Sequence, residues 1–319
     1  MRKLLVPIAY LPSCQQALEF GTNLSRSSGA SLTVLHVAPS IKEAPLGHTL
    51  AREKLVEWGI EPAPFQLLHK AEEKLEQLGL FGWDTTDRPV VKHALKMLSQ
   101  GLYERHLIGA GGQDVRFRVV AGQPVREILR EAEDPEYDLI ITGTRGHRGL
   151  RRFLGGSVAQ EVALRAPCSI LVAKGLRPDQ SLLVGATGRP TALEAIRQAG
   201  ELAQQLKTAI RVLAVARHPE EQSDAERHAE AGIALLAEMG LSAKGIVRRG
   251  DPAQAMIKEA GQSHIIVLGC LERSSVKRYI LGDISLRVLA HAQCPVLIAA
   301  GPRPLPVAAE VGLENPQTQ

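Results

Sequence analysis

The sequence predicts an α/β fold: two tandem doubly wound parallel-sheet domains packed together as an intramolecular pseudo-dimer. Three observations predict it. First, one pattern is written twice. "KLLVPIAYLPSCQQALEFGTNLSRSSGASLTVLHVA" from Lys3 aligns without a gap on "SLLVGATGRPTALEAIRQAGELAQQLKTAIRVLAVA" from Ser181, an offset of 178. Second, short apolar runs such as "LIIT" and "IIVL" suit strands buried on both faces. Third, these runs alternate with helical spacing, the mark of a parallel sheet covered by helices.

Each half reads in the same order. "LLVPIA" and its equivalent "LLVGAT" are first strands, each followed by a turn, an amphipathic helix and a second strand. In the second-half helix, Leu193, Ile196, Ala199, Leu202, Ala203 and Leu206 keep helical spacing. "RVVAGQPVREIL" from Arg118 then matches "IVRRGDPAQAMI" from Ile246 at an offset of 128. Both give a strand, a Gly-x-Pro turn and a helix start, where proline is tolerated in the first turn. "YDLIITGTRG" matches "SHIIVLGCLE", and "APCSILVA" matches "AQCPVLIA", both at an offset of 126.

The fall from 178 to about 128 leaves roughly fifty extra residues in the first half, between its second and third strands. That segment, with Trp58 and Trp83, reads as two or three helices, a lid, a partner surface or an extension of the core. The expected domains are 1–175, with a helical insert at about 41–108, and 176–302. The Pro/Glu/Gln/Ala-rich segment 303–319 reads as a disordered tail.

Composition narrows the function classes. Of 319 residues, 45% are hydrophobic and 23% charged, the balance of a soluble globular protein. Aromatics are 3% and the net charge is +4, which gives neither stacking platforms nor a basic surface for nucleic acid. The start "MRKLLVPIAYLPSC" has the outline of a lipoprotein signal, but Pro7 interrupts it and the repeat explains it as a first strand. No apolar run approaches the ~20 residues of a membrane span. Cys14, Cys168, Cys270 and Cys294 have no metal-like spacing, and Cys168 and Cys294 are equivalent, which reads as buried reduced thiols in a cytoplasmic protein.

One loop carries the functional signal. Gly143, two residues, Gly146, nine residues, then Gly156-Ser157 follows the apolar run 139–142 and opens a helix. Gly143 and Gly146 remove side-chain bulk so that phosphate oxygens can reach the backbone. Gly156 and Ser157 stand where free N–H groups favour an anion. The alternative reading keeps Ser157 as an ordinary N-cap and the glycines as turn residues. Arg145, between two glycines, is the arginine best placed to meet phosphate; Arg148, Arg151 and Arg152 read as solvated. "GAGGQ" at Gly109 resembles part of a dinucleotide fingerprint but reads as a helix-to-strand connection.

This G-x2-G-x9-G-(S/T) spacing, with "PCSILVA" behind it and the Gly-x-Pro turn ahead, resembles the nucleotide-binding universal stress proteins, a Rossmann-like family. The resemblance covers nearly the whole chain as two tandem domains. It implies that adenine and ribose lie against Pro7, Ile8 and Ala9 at the first strand end and Val37 at the second. The phosphates would lie on Thr142, Gly143, Arg145, Gly146, Gly156, Ser157 and Val158. A typical member has aspartate where Ala9 stands, so the contact to the adenosine end is missing here. In the second half Gly269 and Gly282 remain, but Glu272 replaces the second glycine, Asp283 the serine, and Thr187 stands opposite Ala9. Two carboxylates facing polyphosphate repel it.

The resemblance therefore implies a cytoplasmic protein that binds ATP or a related adenine nucleotide in domain 1, with or without Mg²⁺, and leaves domain 2 empty. It would act in stress response by nucleotide-dependent regulation or protein interaction, with the insert as a partner surface. The alternative is a scaffold of the same fold that has lost nucleotide binding. No catalytic base stands out, so any ATP hydrolysis is expected to be slow. Neither nucleic acid nor a membrane is an expected partner, and a monomeric pseudo-dimer or a homodimer both fit.

Overall fold

A strand with no polar face must be covered on both sides, and the computed structural model places Lys3–Ile8 (β1), buried at every position, inside a sheet. The structure describes residues 1–39, 63–84, 89–99, 101–143, 158–272 and 279–301. β1 pairs in parallel with Ser31–Ala38 (β2) on one side. Val91–Ser99 (β3), Leu102–Ile108 (β4) and Asp114–Ala121 (β5) extend the sheet beyond β2. On its other side β1 meets Tyr137–Thr142 (β6), and then comes Ser169–Val172 (β7).

The second half contributes Ser181–Ala186 (β8), Ile210–Ala216 (β9), Ala243–Arg249 (β10) and His264–Gly269 (β11). A two-stranded ribbon of Leu271–Glu272 (β12) and Tyr279–Ile280 (β13) precedes the last strand, Val296–Ala299 (β14). One twelve-stranded sheet runs through the molecule in the order β10-β9-β8-β11-β14-β7-β6-β1-β2-β5-β4-β3.

Helices sort onto the two faces by where their apolar stripes point. Leu11–Ser28 (α1) buries Cys14, Ala17, Leu18, Gly21 and Leu24, and ends at Gly29, whose left-handed φ of 71° suits glycine. With it on that face lie Ala63–Gln77 (α2), Pro190–Leu206 (α5) and Gln222–Glu238 (α6). The opposite face carries Pro124–Ala132 (α3), Val158–Arg165 (α4), Pro252–Ala260 (α7) and Asp283–His291 (α8). In α5 the inward stripe is Ala192, Ala195, Ile196 and Ala199; Leu193, expected on it, is 43% exposed.

The two halves join edge to edge. β7 and β14 pair antiparallel, with Ile170 opposite Ile298, Leu171 opposite Leu297 and Val172 opposite Val296. Leu171 and Leu297 are equivalent at the offset of 126, so each faces its own counterpart and a local twofold axis passes between them. Ser169 Oγ donates to Gln198 Oε1 at 2.8 Å and accepts from Ala300 N at 3.0 Å, tying the halves beside that axis. Equivalent Cys168 and Cys294 are buried thiols that form no disulfide, and burial pushes the Cys294 thiol up to about 11.

The segment 41–108 is not helical throughout, which corrects the sequence reading. α2 is the crossover helix between β2 and β5, matching α6 between β9 and β10, and so belongs to the shared repeat. Val91–Ile108 is instead an antiparallel hairpin that turns at Gly101, φ 73°, and widens the sheet beside β5. The apolar residues Val91, Leu95, Leu98 and Leu102 fall at helical spacing, which accounts for the helical reading of the sequence. The strand signal is the alternation Tyr103, Arg105, Leu107, all turned toward α2: Tyr103 meets Phe65 edge to face and Arg105 pairs with Glu72 at 2.8 Å. "GAGGQ" at 109–113 is accordingly a strand-to-strand turn, with Gly112 at φ 82°. Trp83 is 48% exposed; Trp58 and the tail 303–319 lie outside the described residues.

Candidate functional site

In an open parallel sheet, ligands settle outside the carboxyl ends of the strands, at the point where strand order reverses. Here the chain runs from β1 outward to β2 on one side and later crosses to β6 on the other. The switch point is therefore at the ends of β1 and β6, beside Ile8, Ala9, Thr142 and Gly143. Ile8 closes β1 beside His36, its peptide oxygen 3.0 Å from His36 Nδ1. Ile8 is buried, Ala9 just past it is exposed, and Val37 is half-buried on the neighbouring strand. Pro7 lies within β1 and is buried. Thr142, at the end of β6, is buried and its hydroxyl donates to Gly143 O at 3.2 Å. Val158 opens α4 and is 41% exposed. Arg145, Gly146, Gly156 and Ser157 lie outside the described residues.

Gly143 has a structural reason that its spacing did not reveal. A Cβ there would stand 2.3 Å from Ser13 O and 3.3 Å from Cys14 Cα, in the first turn of α1. Only glycine lets that turn come down onto the end of β6. The same holds in the second half, where a Cβ on Gly269 would stand 2.5 Å from Thr191 O in the first turn of α5. Gly269 thus survives where Glu272 and Asp283 replace the second glycine and the serine, because the helix start needs it.

The Gly-x-Pro turns also recur as built parts. Gly122 N donates to Ala38 O and Gly250 N to Ala216 O, each at 2.9 Å, linking the turn to the end of the neighbouring strand. Gly122 at φ 156° and Gly250 at φ 113° adopt backbone that favours glycine.

Beyond the frame, the second half diverges. Glu272, at the place of Gly146, is in the β12–β13 ribbon, paired in register with Tyr279. Asp251 of the Gly-x-Pro turn caps α7 by accepting from Gln254 N at 2.8 Å. Arg287 of α8 clamps that carboxylate with two parallel bonds of 2.8 Å. Arg287's hydrogen bond and the backbone N–H of Gln254 hold the Asp251 carboxyl below the usual range. Asp283, at the place of Ser157, is exposed at the start of α8 and 3.7 Å from the same guanidinium. An ion pair therefore links turn and helix in the second half, where the first half has Gln123 and Glu161.

The family model described as the universal stress protein family matches twice, over residues 1–174 and 180–300. Among curated proteins, a universal stress protein of Methanocaldococcus jannaschii is 43% identical over 63 residues, 20% of this chain and 37% of its own. The chain thus spans little more than a third of that relative's length, and half that of a Staphylococcus aureus relative 36% identical over 84 residues, 26% of this chain. Among solved structures, a universal stress protein from Archaeoglobus fulgidus covers 93% of this chain and 98% of its own, with a TM-score of 0.60 at 18% identity. A universal stress protein from A. fulgidus solved in complex with dAMP covers 38% of this chain and 97% of its own, with a TM-score of 0.33 at 16% identity.

Proposed function

The chain belongs to the universal stress protein family, and from that premise we propose that its first repeat binds an adenine nucleotide, ATP before others, at the ends of β1, β2 and β6. The observation that carries this reading is the coincidence of two things. The strand order reverses where Ile8, Ala9, Val37 and Thr142 meet, and the G-x2-G-x9-G-S spacing begins at that point with Gly143. Adenosine would lie on the strand ends, and the phosphates on backbone N–H groups of the loop and at the start of α4. Arg145 would add charge, and Mg²⁺ would enter on the phosphates.

The second repeat is read as empty. Asp251, Arg287 and Asp283 put a carboxylate-rich ion-pair set near the start of α8, where the first repeat has neutral Gln123 and Ser157. The first repeat would act in the cytoplasm as a nucleotide-dependent regulator or interaction module in stress response rather than as an efficient hydrolase.

A specific residue favours the second reading, a scaffold without nucleotide. Ala9 offers a methyl group at the exposed end of β1 where a carboxylate is the expected contact. Calorimetric titration of the full chain with ATP, beside Gly156→Asp, separates the two. Binding of one ATP per chain, lost in the variant, supports the cradle. A folded chain that takes up no ATP at millimolar concentration refutes it and leaves the scaffold.

A further inference from the structure

The hairpin that the first repeat adds to its sheet carries a second cluster of chemistry, away from the strand ends. His93 of β3 stands opposite His106 of β4, and Glu104, two residues along β4, shares their face. One ligating atom from each of the three lies within 4.8 Å of the other two. His93 Nε2 is 3.1 Å from Glu104 Oε1. Nitrogen and oxygen ligands at 2.0–2.2 Å from one tetrahedral ion stand about 3.3 Å apart, so this pair already has the edge length of a coordination shell.

The surroundings fit donors held for an ion. Glu104 is buried, and its other oxygen accepts from Arg118 Nε at 2.6 Å, which fixes the carboxylate and leaves Oε1 turned toward His93. His106 is 8% exposed, and its Nε2 makes no well-aligned hydrogen bond but stands 2.9 Å from Asp114 Oδ1. A buried imidazole nitrogen left without an aligned hydrogen bond is open to a cation, and Asp114 beside it adds negative charge to the cluster. Neighbouring positive charges have carboxylates of their own: Arg118 pairs with Glu131 at 2.5 Å, and Lys92 and Arg116 with Asp114 at 2.6 and 3.2 Å. His93 is half-buried and gives the route in from solvent.

We infer that His93, Glu104 and His106 form a site for a divalent transition-metal ion of the zinc class. Two imidazoles and one carboxylate suit Zn²⁺, Co²⁺ or Ni²⁺ and disfavour Mg²⁺ and Ca²⁺, which take oxygen shells. The ion clips β3 to β4, with Arg118 as a positioning residue for Glu104.

The test titrates the chelator-stripped full chain with Zn²⁺ by calorimetry and with Co²⁺ by visible absorption. One Zn²⁺ binds per chain, and the Co²⁺ complex shows the intensified visible bands of a low-coordinate nitrogen–oxygen site. His93→Ala, on the exposed edge strand, weakens binding at least about tenfold, while His228→Ala on a distant helix changes nothing. A raised Tm with Zn²⁺ in the parent chain, absent in His93→Ala, supports the same site. No uptake at several-fold excess Zn²⁺, undiminished uptake by folded His93→Ala, or a Co²⁺ spectrum like that of the aqueous ion overturns the inference. The Co²⁺ spectrum of the parent chain decides even if a variant fails to fold.

Discussion

Gly143→Ala and Gly269→Ala together test whether these glycines serve the frame or the ligand. A methyl group at Gly143 would sit 2.3 Å from Ser13 O, and one at Gly269 2.5 Å from Thr191 O. Carbon and oxygen need about 3.3 Å in close contact, so each first turn would have to retreat by roughly 1 Å from its loop. The obstacles are backbone atoms in helices packed on the core, and they cannot rotate away. Overpacking of this kind costs about 1–3 kcal/mol. At about 2–4 °C per kcal/mol for a domain of this size, Tm falls by about 4–8 °C for a 2 kcal/mol loss. Thermal unfolding followed by circular dichroism measures it, with ATP calorimetry on both variants. Both should lose stability to a similar extent, while only Gly143→Ala disturbs ATP uptake. If Gly269→Ala melts with the parent protein, the frame argument is wrong and Gly269 is a remnant of a lost ligand site.

Further outcomes are expected elsewhere. Asp251 is held below the usual carboxylate range, so it favours the folded state above its unfolded pKa, and that contribution is lost as pH falls through the lower, folded value. Urea melts of the parent and Asp251→Asn should differ near neutral pH and converge in acid; a difference that persists unchanged in acid rules out this linkage. The Cys294 thiol, pushed up to about 11 by burial, should stay protonated and unlabelled by a thiol reagent at pH 8. All four cysteines should react once the chain is unfolded, and fast native labelling of Cys294 would contradict the burial. Leu171→Ala, at the junction strand, should cost about 2–5 kcal/mol as a cavity in a fully buried position. Leu297→Ala should cost a similar amount by chemical denaturation, because the two residues face each other across the local axis; a cost confined to one of them would break the pseudo-symmetry.

The repeat, the parallel strands and the Gly-x-Pro turns were legible because each leaves a local mark: an apolar run, a glycine or a proline at a fixed offset. The hairpin was not, because Val91, Leu95, Leu98 and Leu102 keep helical spacing while its real pairing joins residues across a turn. The edge strand also packs on one side only, so its exposed Met97 and Leu98 blur the alternation. The reason for Gly143 was hidden for a related cause. It depends on Ser13, a residue far away in sequence, and the clash involves a backbone oxygen whose position no residue type announces. Leu193 was expected inside because leucine is apolar, yet close approach of α5 to the sheet is made by alanines, which leaves the larger side chain at the rim. The polar face of the hairpin escaped notice as well: His93 pairs with His106 only once the turn at Gly101 brings them together.

The two repeats act as a control for each other, because they share one frame in one chain. Positions set by backbone packing agree: Gly143 with Gly269, Gly122 with Gly250, Cys168 with Cys294. Positions at the strand ends and on the loop disagree: Ala9 with Thr187, Gly146 with Glu272, Ser157 with Asp283. A frame requirement acts on both halves alike, since each must seat its first helix and close its sheet. A ligand requirement need act on one only. The agreement of Gly143 with Gly269, and of Gly156 with Gly282, therefore counts for the fold and not for nucleotide, whereas Gly146 and Ser157 carry the ligand argument alone. Placing the second half's residues into the first sharpens the test. Gly146→Glu with Ser157→Asp should leave the melting curve of the parent in place, because the second half folds with both. If the proposed cradle is real, the same pair should abolish ATP uptake; unchanged uptake would move the nucleotide, if any binds, away from this loop.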